Sequence, residues 1–219
     1  MRLGAGFDPA VSLNACALVI VGEMHPMVWC PLVIKTWQGT SREPLDIRLN
    51  VGPEAAEIVK AHGLRSWRSD LFARADVHHV SRDAALSVSF DEESVLDSFG
   101  TTRILLHRHL GDQPGERLVL RADDPGLDEQ CALLARELST VLLRRTRGNA
   151  EIILPTIGGQ HGDRARALVR ALRHAGANAA NLDVDCTAAN LAMRNRRALP
   201  APPHQAPTAD LTFRRSRAW

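Results

Sequence analysis

The chain has 219 residues, enough to bury a core of one or two domains. Its 27 basic and 25 acidic residues leave a formal charge of +2, so no global field favours nucleic acid, and only Lys35 and Lys60 of the basic set are lysines. No segment reaches the roughly 18 apolar residues that span a bilayer, and Cys16, Cys30, Cys131 and Cys186 are too scattered for a disulfide framework or a zinc knuckle.

Residues 1–45 form a poorly defined N-terminal segment. Leu13-Asn14-Ala15-Cys16 has a loose lipobox shape, but the residues before it include Asp8 and Pro9 and lack an apolar stretch, so no working signal peptide is expected. Ala15 to Val21 reads as a buried strand. Val28 to Ile34 is apolar but broken by Pro31, which places it at an edge or in a loop. Trp29 and Trp37 flank it and predict a small satellite core. Glu23, His25 and Cys30 share no defined face, and no metal site is expected from them.

A small α+β region, 46–110, comes next. Asp46 to Asn50 predicts a strand, and Gly52-Pro53 opens a helix to about His62, with Glu54 at the positive end of its dipole and Gly63 as its stop. Leu64 to Val80 predicts an amphipathic helix or turn. Within it, Arg65, Trp67 and Arg68 interleave base-stacking and phosphate-holding groups, which makes this the nucleic-acid candidate of the chain. His78 and His79 diverge whether the backbone is helical or extended. Ser87 to Phe90 alternates as a strand. A short helix near Val95 to Phe99 and a strand from Arg103 to His107 follow, and His107 and His109 share one wet strand face.

From 111 to 190 the pattern predicts a β-α-β-α-β domain. Gly111 to Gly115 turns the chain, Leu118 to Leu120 is a strand core, and a helix runs from Leu127 to about Arg145 with acids at its start and arginines at its end. Glu151 to Leu154 is a strand closed by Pro155. A glycine turn, Gly158 to Gly162, leads to a helix opened by Asp163, with Ala165, Leu168, Val169 and Leu172 on its core face. Arg166, Arg170 and Arg173 share the opposite face, which predicts arginine shown to water. Gly176 stops this helix, and Leu182 to Asp185 is the next strand. Residues 191–219 read as a proline- and arginine-rich tail, with Leu211 to Phe213 a final strand candidate. The fold class expected is α/β or α+β, with a mixed sheet and helices mainly on one face.

The run from Leu127 and Gln130 through Gly148, the strand ending in Pro155, the Gly158-Gly159 turn, the arginine-bearing helix and Gly176 resembles the CpaD-like lipoprotein family of tight-adherence (Tad) pilus biogenesis. Arg108-His109 fits the same likeness. Arg164-Ala165, Leu168-Val169, Leu172, Gly176 and Leu182 resemble the helix and strand of OmpA-like domains. The resemblance implies a non-enzymatic envelope accessory or assembly domain in pilus biogenesis, with protein partners and a periplasmic or outer-membrane location. The missing signal peptide points instead to the cytoplasm. On this reading the ligand or partner surface is Gly159, His161, Arg164, Arg166, Arg170 and Arg173, with no catalytic residue, metal or cofactor. Two alternatives stand beside it. One is an arginine-rich nucleic-acid module using Arg65, Trp67 and Arg68. The other is a small-molecule enzyme in which the helix N-terminus after the Gly158 to Asp163 turn holds an anion and His161 moves a proton.

Overall fold

The structure of the protein, a computed structural model, describes residues 1–10, 15–26, 28–91, 116–140, 142–146, 149–153, 162–176 and 182–185. The expected helix at 95–99, the strand at 103–107 with His107 and His109, the 111–115 and 158–161 turns, Cys186 and the tail lie outside the described residues.

The first 45 residues, the least readable part of the sequence, supply the centre of the sheet. Strands β1 (Leu3–Asp8), β2 (Ala15–His25) and β3 (Val28–Gln38) pair in turn, each antiparallel to the one before. β2 is apolar on both sides because both sides are covered: Ala17, Val19 and Val21 enter one core, and Cys16, Leu18 and Ile20 the other. β3 is a full strand rather than an edge or loop. Its register with β2 shifts between Ile20 and Val21, opposite Val33 and Pro31, so the proline is absorbed in a bulge. On the other side its parallel neighbour pairs only with Val28 and Trp29, short of the proline.

Asp46 to Asn50 is not a strand. Ile47–Val51 is one π-helical turn, because the Asp46 carboxylate accepts from the backbone N–H groups of Arg48 and Leu49 at 2.8 and 2.9 Å. Helix α1 (Gly52–Ala61) follows as its proline and Glu54 predict. The stretch expected to be one helix or turn is divided: β4 (Ser66–Ser69) precedes α2 (Arg74–Asp83), and β5 (Ser87–Phe90) closes the unit. Both β1–β4 and β4–β5 are parallel pairs.

From residue 116 onwards come β6 (Glu116–Val119), α3 (Pro125–Thr140), β7 (Leu142–Thr146), β8 (Asn149–Ile153), α4 (Asp163–His174) and β9 (Leu182–Asp185). α3 ends well before Arg145. Its expected last turn is β7, which pairs antiparallel with β8 as a separate two-stranded sheet. The C-terminal part is therefore no continuous β-α-β-α-β unit: β9 joins the main sheet beside β6, while β8 does not.

The main sheet has the order β5-β4-β1-β2-β3-β6-β9, and only β2 runs against the others. It is the mixed sheet of an α/β fold, as expected, but its helices are divided between two faces rather than gathered mainly on one. α1 and α2 cover Phe7, Leu18, Ile20 and Trp67, while α3 and α4 cover Val19, Val21, Trp29 and Leu118. α4 lies hard against β1. A Cβ added at Gly4 or Gly6 would fall 2.1 Å from the Ala171 or Ala167 carbonyl oxygen, so only glycine permits this approach.

Candidate functional site

The register of the parallel strands builds a row of carboxylates. Phe7 lies opposite Ser69, and Ser69 opposite Phe90, so the residues that follow each of them, Asp8, Asp70 and Asp91, stand side by side at the C-terminal ends of β1, β4 and β5. Asp8 shares the side of β1 that carries Gly4 and Gly6, the side on which α4 packs.

Arg170 of α4 reaches into this row with all three of its guanidinium nitrogens. Nη1 donates to Asp8 Oδ1 at 2.6 Å, Nη2 donates to Asp70 Oδ2 at 3.1 Å, and Nε lies 3.4 Å from Asp91 Oδ2. The Asp8, Asp91 and Arg170 side chains are only 4%, 1% and 3% exposed. Arg68 Nε donates to Asp91 Oδ1, and Arg173 Nη1 stands 3.6 Å from the same oxygen. The second oxygen of Asp70 caps the turn into α2, accepting from the Phe72 N–H at 2.9 Å. Arg170 Nε and Asp91 Oδ2, facing each other, are buried and make no hydrogen bond among the described residues.

Burial pushes Asp8 above the ordinary aspartate range, against the pull of Arg170 and Arg166. Burial likewise carries Asp70 from 3.8 to about 6, with Arg170 opposing it. The folded state thus binds the Asp70 proton more tightly than the unfolded chain, so this group's contribution to stability falls as pH rises from 3.8 towards about 6. Its side-chain carboxyl carbon resonance should titrate near pH 6, and Asp70→Asn should remove that falling limb from the pH–stability profile. A midpoint near pH 4 in the carbon NMR titration would contradict this.

Two further contacts hold α4 in place. Glu137 of α3 accepts from Arg164 Nη1 at 2.7 Å and from the Ala165 N–H at 3.0 Å, while Arg164 Nε donates to Gln130 Oε1 at 3.2 Å. At the other end, His174 Nδ1 accepts from the Ala5 N–H at 3.0 Å and its Nε2 meets the Ser66 hydroxyl at 2.8 Å. Burial lowers the His174 pKa, which keeps the ring neutral as this pattern requires.

The residues singled out from sequence are rearranged by these contacts. The core face of α4 is as expected: Ala165, Leu168, Val169 and Leu172 are buried. The arginine side is not a free face, because Arg164 and Arg170 are buried in ion pairs and Arg166 and Arg173 are half-buried. Gly159 and His161 lie outside the described residues. Trp67 cannot stack on a base: it is fully buried, stacked on Phe7 at 5.2 Å between ring centroids, and its indole N–H donates to the Ser81 hydroxyl at 2.8 Å. Arg68 is spent on Asp91, and Arg65 alone of that trio is exposed. The sequence reading assigned no site role to Asp8, Asp70 or Asp91. Their signal is a repeated one: GAGFD, SWRSD and SVSFD are three short strand segments that each end in aspartate.

No family model and no curated protein sequence matches the chain. Among solved structures it is similar to the large terminase nuclease from thermophilic phage G20c, with a TM-score of 0.51 at 9% identity over 78% of this chain and 81% of that one. It is also similar to Thermus thermophilus RuvC in complex with a Holliday junction substrate, at TM-score 0.43 and 16% identity over 80% and 93% of the two chains. The chain shares its fold with the terminase nuclease. These findings overturn the likeness to CpaD-like and OmpA-like proteins, and with it the pilus-assembly role. Most of the matched positions were apolar residues and glycines, which many helix–strand pairs share, and they do not form the unit the likeness required. No described helix is long and apolar enough to cross a membrane.

Clustered carboxylates are the oxygen ligands that suit hard divalent metals, and such metals in pairs serve phosphodiester chemistry. The residues here do not fit such a metal as they stand. The oxygens that would turn towards a metal turn towards the Arg170 guanidinium, and Arg68 and Arg173 hold Asp91 from the side.

Proposed function

We propose that the protein acts on nucleic acid, engaging the sugar-phosphate backbone at the C-terminal ends of its parallel strands. The observation that carries this is the in-register row of Asp8, Asp70 and Asp91 on a fold shared with a phage terminase nuclease. The nucleic-acid alternative from sequence thus returns with other residues. Asp70 begins the turn into α2, and that turn exposes Leu71 and Phe72. Arg74, His78, His79 and Arg82 then line a shallow depression on α2, and Arg48 reaches the His79 ring at 2.9 Å. These groups offer phosphates a partner close in sequence to the row, whereas the row itself is neutralised from within.

A fluorescein-labelled DNA duplex titrated with protein tests the reading by anisotropy. Binding should weaken steeply with salt, as phosphate contacts release counterions, and the double variant Arg74→Glu/Arg82→Glu should lose about tenfold or more in affinity at low salt. An absence of binding at low salt, or binding indifferent to salt, would sink it.

A further inference from the structure

We infer that Arg170 is the resident cation of the carboxylate row, a guanidinium where this arrangement of acids would otherwise take a divalent metal, so that the protein holds nucleic acid without metal-dependent hydrolysis. The inference about nucleic acid rests on the function proposed above; the inference about the metal does not. Three carboxylates, Asp8, Asp70 and Asp91, meet three guanidinium groups, Arg68, Arg170 and Arg173, within 4 Å, so the row is balanced in charge with no metal needed. An incoming divalent cation would meet the Arg170 charge head-on in a poorly screened interior.

Arg170 does not leave easily. Arginine keeps its proton at any pH the fold survives, so it cannot step aside by neutralising as a lysine could. Nor can it swing out freely. Its Cβ sits where a Cβ on Gly6 would lie only 2.7 Å away, and the helix that carries it rests backbone-to-backbone on β1. Asp91 Oδ2 stands in ion-pair contact with Arg170 Nε at 3.4 Å but makes no hydrogen bond among the described residues, so the guanidinium fits this row less than perfectly. That oxygen is also buried, and it is the one a smaller, harder cation would take up once the arginine is gone.

The test uses the full chain and Mn²⁺ alone, followed by its paramagnetic resonance signal, with a labelled duplex incubated with Mg²⁺ or Mn²⁺ in parallel. Wild type should leave Mn²⁺ free and the duplex intact. Arg170→Met should bind Mn²⁺ at least about tenfold more tightly than wild type, and Asp91→Asn in that background should remove the gain. Micromolar Mn²⁺ binding by wild type, or duplex cleavage that Asp8→Asn abolishes, would overturn the assignment. If Arg170→Met does not fold, the wild-type measurements decide it by themselves. A wild type that ignores both Mn²⁺ and the duplex leaves the arginine assignment standing and sinks only the nucleic-acid reading.

Discussion

Arg170→Met should lower the free energy of unfolding by about 3–5 kcal/mol at neutral pH, read from urea denaturation, because it removes the central cation of a buried ionic cluster and leaves Asp8 and Asp70 without their hydrogen-bonded partner. Methionine fills most of the volume, so the loss is electrostatic rather than a cavity. Asp8 and Asp91 are almost wholly enclosed, and neither has water to turn to when the guanidinium goes. The sign of the pH dependence follows. Stranded carboxylates in the variant take up protons more readily folded than unfolded, so its deficit against wild type should narrow as pH falls from neutral towards the wild-type Asp70 midpoint of about 6. A loss under about 1 kcal/mol at pH 7 would mean that the row is not the closed, desolvated cluster described.

Gly6→Ala should cost about 3 kcal/mol, the upper end of what overpacking does, although it adds a single methyl group. The added Cβ would lie 2.1 Å from the Ala167 carbonyl oxygen and 2.3 Å from the Ala171 nitrogen. Both are helix backbone, which cannot rotate aside as a side chain does. α4 has to lift from β1, and Arg170 lifts with it. Gly63→Ala is the control: its φ of 73° carries the strain of a left-handed alanine, about 1–2 kcal/mol, but nothing lies within 4 Å of the new methyl. The carboxyl resonance of Asp70 should move in Gly6→Ala and stay in place in Gly63→Ala. Equal behaviour of the two variants would refute the close contact of helix and strand.

Several elements were legible because their signals are local. The apolar run Ala15 to Val21 read as the buried strand it is, and Pro53 with Glu54 placed the start of α1. Other elements were misread where a nearby competitor decided. The Asp46 carboxylate turned a β-like segment into a helical turn, and a bulge let Pro31 remain inside a strand. α3 overran on paper because Leu142 continues its three-four spacing, and only pairing with Ile153 makes that residue extended. The GDRARALVRALRH segment misled most. Its apolar face was correctly placed, yet its arginines were assigned to solvent and to a docking role.

The sequence by itself determined the spacing of side chains along each element: which residues of α4 fall on one face, which strands end in aspartate, and which glycines leave room beside a strand. The tertiary structure alone decided what those faces meet. Periodicity marks an arginine stripe as polar whether water or carboxylates lie opposite, since the pattern records hydropathy and not partners. The partners here come from residues 8, 70 and 91, brought level by parallel pairing between distant strands and covered by a helix that begins more than seventy residues after the last of them. No local signal encodes that arrangement, because strand order and helix placement are settled by long-range pairing and burial.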